Sequence, residues 1–168
     1  MLRFEPIDRN YTQYNMVYVE SGDNCNSEEI NPILQKFFPG DVINKDGTLN
    51  KSPYLEKNNI PGVLITSGKT YGRPESKNKN GQKNKNGNQK KLYYKCIPYD
   101  KTLPSILIPY EYKIAGLHKK KSNMYVLFKI KGWQNKHPEG ILQQTIGCVD
   151  IPERFYDYQI YCNDLMIS

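Results

Sequence analysis

Along the chain, short runs of apolar and aromatic residues alternate with polar stretches punctuated by proline and glycine. Five of these runs read as strands by length and by β-branched and aromatic content: VLIT at 63–66, LYYKCI at 92–97, SILIP at 105–109, MYVLFKI at 124–130 and ILQQTI at 141–146. In the fourth, period-two spacing puts Met124, Val126, Phe128 and Ile130 on one face and Tyr125, Leu127, Lys129 and Lys131 on the other. The first face, with Ile106 and Ile108, is expected to point into a core; the mixed second face is expected to be an exposed sheet surface. Five such strands joined by turns predict an all-β fold, a small barrel or sandwich. A helix is expected only over residues 27–37, where Ser27 can cap, Glu28 and Glu29 suit the positive helix end, and Pro32 has to be accommodated.

The first sixty residues follow a different pattern. Strands are expected near 15–19 and 41–43, too few for a second barrel. Residues 1–60 therefore read as a β-rich extension or partial domain packed on a main unit at 61–168. With 168 residues, the chain is long enough to bury a core of its own. Its longest clean apolar run, 124–128, is far too short for a bilayer, and acids and a proline interrupt the opening residues where a signal peptide needs an apolar stretch. The expectation is an intracellular protein, cytoplasmic or nuclear, with no membrane segment.

Charge changes this picture in one place. Residues 1–74 hold eight Lys/Arg against nine Asp/Glu, and residues 92–168 hold ten against seven. Most of the formal +7 arises between them, at 75–91, where six lysines face Glu75 in a low-complexity tract, SKNKNGQKNKNGNQKK, that holds no hydrophobe and cannot build a core. It reads either as a basic arm for nucleic-acid phosphates or as a solvated loop from an AT-rich genome.

Candidate chemistry is sparse. Cys25, Cys96, Cys148 and Cys162 are scattered without a C-x-x-C pair, and His118 and His137 lie in polar, turn-like sequence away from them, so neither a metal nor another cofactor is expected. VLITSGKT at 63–70 looks like a strand entering a phosphate loop, but five residues separate Gly62 from Gly68 where four are required, and Pro74 falls where a helix should begin. Asp150, Asp157 and Asp164 recur every seven residues in a stretch without a convincing helix, which gives no convergence for two-metal catalysis. Tyrosines and one tryptophan interleaved with lysines are more informative, because single-stranded nucleic-acid binders need rings for stacking and amines for phosphates. Tyr93, Tyr94, Lys95, Lys101, Lys129, Lys131 and Trp133 are the candidates, with Lys90 and Lys91 at the end of the basic tract. In any barrel about half of such rings face inward, so the same residues also serve as core.

The stretch CIPYDKTLPSILI at 96–108 resembles the second cold-shock, OB-type domain of the ribonuclease II, ribonuclease R and exosome catalytic-subunit family, in which a strand ends in an aspartate, a basic turn follows and an I-P-x-I-x-I strand resumes. Asp100, Leu103, Pro104, Ile106 and Ile108 occupy those places. The run IKG with Trp133, then Pro138, Gly140, Ile146 and Gly147, is similar to that family's I-x-G-W … P-x-G … L-G pattern through the fourth and fifth strands. FPGDV at 38–42 resembles the end of the preceding cold-shock domain. The resemblance implies a five-stranded OB barrel over most of 62–165, with 75–91 lengthening the connection between the first two strands. It also implies a single-stranded RNA-binding module that is not catalytic by itself, the magnesium-binding aspartates belonging to a following domain or a separate catalytic chain. Thr102, Ser105, Leu107 and Gln144 stand where the family usually has basic residues, and Gln134 where it has proline, which implies modest affinity. The alternative is a structural or protein-interaction module that keeps the barrel without RNA, from a large DNA virus or an AT-rich protist.

Overall fold

The computed structural model describes residues 1–25, 31–74, 91–111 and 122–167, with side chains as far as residue 163. Five long strands form a closed barrel: β6 (Ile60–Thr70), β7 (Leu92–Pro98), β8 (Ile106–Tyr110), β9 (Met124–Gly132) and β10 (Glu139–Cys148). Around the barrel the order is β10-β8-β7-β6-β9, and every pairing is antiparallel except the parallel contact between β8 and β10 at Leu107 and Glu139. Of the barrel and the sandwich that the strand pattern leaves open, the chain forms the barrel, with the five strands that the family resemblance implies. Val126, Phe128, Ile130, Ile106 and Ile108 all point inward and are at most 2% exposed. Gly62 and Gly140 mark where the strands press closest. A Cβ on Gly62 would lie 2.7 Å from the Cys96 Sγ, and one on Gly140 would lie 2.9 Å from Ile106 Cγ2.

The residues before the barrel form more sheet than the sequence suggests. β1 (Leu2–Pro6), β2 (Tyr14–Tyr18), β3 (Asn24–Cys25), β4 (Val42–Ile43) and β5 (Leu49–Lys51) make an open sheet in the order β3-β2-β1-β4-β5, followed by the one-turn helix α1 (Pro53–Glu56). Its core of Phe4, Tyr11, Met16, Phe37 and Ile43 is distinct from that of the barrel, and Trp133 packs against both. Asp41 is almost wholly buried and accepts hydrogen bonds from the Ser52 hydroxyl (2.5 Å) and the Phe38 N–H (2.9 Å). Burial outweighs these bonds and raises its pKa from 3.8 to about 6. The native state then holds more protons than the unfolded chain between those values, so the contribution of Asp41 is full below about pH 4 and is lost as pH rises through about 6. Across that window the stability of the wild type is expected to fall by about 2 kcal/mol relative to Asp41→Asn. Urea unfolding of both proteins at several pH values checks this; a constant difference would contradict it.

Three sequence expectations are corrected here. The described part of the expected helix at 27–37 is a single turn that does not become a helix: the Asn31 Oδ1 accepts from the N–H groups of Ile33 and Leu34, and Pro32 lies inside the turn. Lys36, at φ 59°, ends the turn, with the Phe37 N–H bonded to the Pro32 carbonyl and the Lys36 N–H to that of Ile33. Residues 26–30 lie outside the described part. Conversely, the C-terminal stretch read as non-helical forms α2 (Pro152–Ile167). That helix also explains the third correction. Tyr125 stacks on Tyr158 of α2, ring centroids 4.5 Å apart, so Tyr125 (8% exposed) is buried, as is Leu127 (1%), and the outer face of β9 is not an exposed surface there. Among the described residues, no helix is long and apolar enough to cross a membrane.

Candidate nucleic-acid interface

A groove of about 290 Å³ opens where the barrel meets the N-terminal sheet. Lys95 of β7, Leu107 of β8 and Ser105 just before β8 line it from the barrel. Tyr71, just beyond β6, and the β9–β10 loop at Trp133, Lys136 and His137 contribute from the barrel's connections. Arg9 and Tyr11, in the β1–β2 connection, contribute from the other sheet. Among the described residues, no acidic side chain lines the groove.

Local geometry explains how these groups are held. The pairing of β6 with β7 runs in register to Ile65 opposite Lys95 and then jumps to Thr70 opposite Tyr94. Within that excursion the Asn123 side-chain oxygen accepts from the N–H groups of Thr66 and Ser67 and from the Ser67 hydroxyl. The strand then rejoins β7: the Tyr71 N–H bonds the Tyr93 carbonyl, and the Tyr93 N–H bonds the Gly72 carbonyl. Lys69 lies over the Tyr71 ring at 5.4 Å, and Tyr71 meets His137 edge to face at 6.0 Å. In the β9–β10 loop, the Trp133 Nε1 donates to the Lys136 carbonyl, while its ring packs on Phe38 at 5.5 Å and Tyr11 at 6.4 Å. Across the groove the Arg9 guanidinium is spent on structure, donating to the carbonyls of Pro98, Leu103 and Asp100 at 2.7, 2.8 and 3.2 Å. The burial of Arg9 lowers its pKa, against the favourable charge of Asp100. For His137, burial is again the leading cause of a lowered pKa, followed by the positive charges of Lys136, Lys95 and Lys69.

The sequence candidates divide by strand parity and by loop. Lys95 and Trp133 line the groove. Tyr93 lies on the same outward face of β7 as Lys95 and is half-buried, and Lys91 is exposed at the start of that strand. Tyr94 has the opposite parity: at 3% exposure it belongs to the barrel core, edge to face with Tyr110, and it cannot offer its ring to a base while the barrel is closed. Lys101 is exposed on the β7–β8 turn, outside the groove. Lys129 and Lys131 are on β9, which pairs with β6 and β10 rather than β7 or β8, and neither lines the groove. Lys90 and the tract at 75–90 lie outside the described residues, as does His118. Sequence reasoning weighed His137 only as a metal ligand and passed over Lys69, Tyr71 and Lys136. The usable signal was position: OB barrels bind oligonucleotides on the strand 2–3 face and with the loops joining strands 1–2 and 4–5, and Tyr71, Lys136 and His137 fall on those connections, with Lys69 at the end of β6. Asp150 and Asp157, set apart as heptad-spaced acids, accept from the Ser122 hydroxyl and pair with Arg154, respectively.

Residues 93–151 match the family model described as Dis3-like cold-shock domain 2 (CSD2), a domain of RNB-family exoribonucleases. The match covers β7 to β10, the part of the barrel that supplies Lys95, Trp133, Lys136 and His137 to the groove. No curated protein matches the chain.

Proposed function

We propose that the groove between the barrel and the N-terminal sheet binds single-stranded RNA. The observation that carries this reading is the composition of the groove: lysines, a histidine and aromatic rings, with no acid among the described lining residues, on the face and loops that OB barrels use for oligonucleotides. Lysines neutralise phosphates and release counterions, and Tyr71 and Trp133 supply the aromatic rings that line the groove. In sequence, the basic tract at 75–91 belongs to the β6–β7 connection, whose β6 end carries Tyr71. In this reading the chain positions RNA, and hydrolysis belongs to the catalytic domain of an RNB-type exoribonuclease or to a separate chain carrying one.

The test is binding of a single-stranded oligouridylate across a salt series. The paired Lys95→Ala and Lys136→Ala protein is expected to bind about tenfold more weakly, with the slope of log affinity against log salt reduced by about 1.4, two single-strand phosphate contacts at roughly 0.7 each. Lys129→Ala with Lys131→Ala, off the groove, is expected to change affinity less than about twofold, within the usual scatter of a surface change. An equal loss in both pairs would put the strand over β9 instead. Deletion of 76–91 is expected to flatten the salt slope further and to leave the midpoint of thermal unfolding unchanged, because a hydrophobe-free connection contributes nothing to the core.

One observation favours a second reading. Phe155, Tyr156 and Ile160 are exposed on α2, with Ile151 just before it, which suits contact with another protein. Absence of oligouridylate binding even at low salt would move the function to that surface.

A further inference from the structure

We propose that His137, together with Lys69, Lys95 and Lys136, forms a phosphodiester subsite in which seating one phosphate brings a proton onto the His137 ring. This rests on the RNA-binding reading above and deepens it. Lys95 of β7 and Lys136 and His137 of the β9–β10 loop line the groove, and Lys69 of β6 reaches the same side through the Tyr71 ring that it covers. The imidazole is fixed there by its edge-to-face contact with Tyr71, at 6.0 Å, and Tyr71 in turn holds Lys69 over its ring.

The charges around His137 make its protonation depend on an anion. Partial burial of the ring opposes its protonation most, and the charges of Lys136 on its own loop, Lys95 on β7 and Lys69 on β6 add to that opposition. Across the groove stands the cationic Arg9, engaged with three carbonyls, and beside it Tyr11. Glu139, at the start of β10, is not among the groove's lining residues. A phosphodiester placed among the lysines cancels the repulsion and accepts a hydrogen bond from the protonated ring, so it raises the pKa of His137. By linkage, a ligand that raises this pKa must bind more tightly as pH falls through it.

The experiment uses the full chain and an oligouridylate, whose bases and phosphodiesters do not titrate in the range of interest, at constant ionic strength. Affinity is expected to rise about five- to tenfold between about pH 7.5 and about pH 5.5, one unit of pKa displacement being tenfold at the limit. The His137→Gln protein should bind with little dependence on pH, whereas His118→Gln should keep the dependence. The chain has two histidines, so the His137 ring signal can be assigned by NMR from the His137→Gln spectrum, and its pKa should rise when the oligonucleotide is added. A methylphosphonate oligouridylate, with no backbone charge, should produce neither effect. Wild-type binding that is flat with pH, a slope retained in His137→Gln, or the same ring shift with the neutral analogue would overturn the subsite while leaving RNA binding in place. Failure to bind at any pH would overturn both.

Discussion

Phe128→Ala is expected to destabilise the protein by about 3–5 kcal/mol, the range for emptying an aromatic core position. Phe128 is 0% exposed and sits at the middle of β9, where Ile60 pairs with it from β6 and Leu142 from β10. Its ring also fills space that two glycines leave open: Phe128 atoms lie 3.0 Å from where a Gly62 Cβ would be and 3.4 Å from that of Gly140. Truncation therefore leaves a cavity bounded by strand backbone, and a closed barrel cannot collapse into it without breaking its pairing. For a chain of this length each kcal/mol corresponds to roughly 2–4 °C, so the midpoint of thermal unfolding should fall by about 6–20 °C. Denaturant unfolding with an unchanged slope would show that stability changed and compactness did not. A loss below about 1 kcal/mol would mean that the ring is not a central part of the core.

Phe128 was legible in the sequence for the same reason that its loss is costly. Every second residue of a strand shares a face, and Met124, Val126, Phe128 and Ile130 are apolar without interruption, whatever covers Tyr125 and Leu127 on the other side. The same parity was available for β7: Lys95 must point outward, which turns Tyr93 outward and Tyr94 inward, so the two tyrosines were never equivalent. Alternation cannot report on strands of two or three residues, and β3, β4 and β5 are of that length, which is why the N-terminal sheet read as a remnant. Nor did composition announce α2. Its buried residues, among those whose side chains are described, are Tyr158 and Cys162, four apart on one helical face, in a segment where Phe155 and Tyr156 are exposed. Pro152 at its start and Glu153 in its first turn were the readable signs. The groove was half legible. Lys95 follows from strand parity, but Lys69, Tyr71 and His137 meet only because β6 skips register past Asn123, and that is a tertiary event with no local pattern.

Arg9→Ala is expected to cost about 3–4 kcal/mol and to act on one sheet more than the other. The guanidinium donates three hydrogen bonds to the carbonyls of Pro98, Asp100 and Leu103, which cluster where β7 ends and the turn towards β8 begins. Charge-assisted bonds of this kind are worth about 1.5–3 kcal/mol each when partly desolvated, and water entering the gap restores part of the loss. Asp100 is also tied down from the barrel side of the junction, by the Tyr54 hydroxyl and by the Thr102 N–H and hydroxyl, so the carbonyls will not swing away to find new donors. The barrel has its own closed ladder and its own core, whereas the N-terminal sheet has short strands and a smaller core. Loss of the clamp should therefore lower hydrogen-exchange protection in β1 and β2 first, with β7 and β9 keeping theirs. Arg9→Lys, which supplies a point charge in place of a planar fork, should recover only part of the stability. Oligouridylate affinity should fall as well, because Arg9 and Tyr11 form the wall that faces Lys95 and His137. Uniform loss of protection through both sheets would show instead that they unfold as one unit, and unchanged stability would show that the three carbonyls are as well satisfied by water.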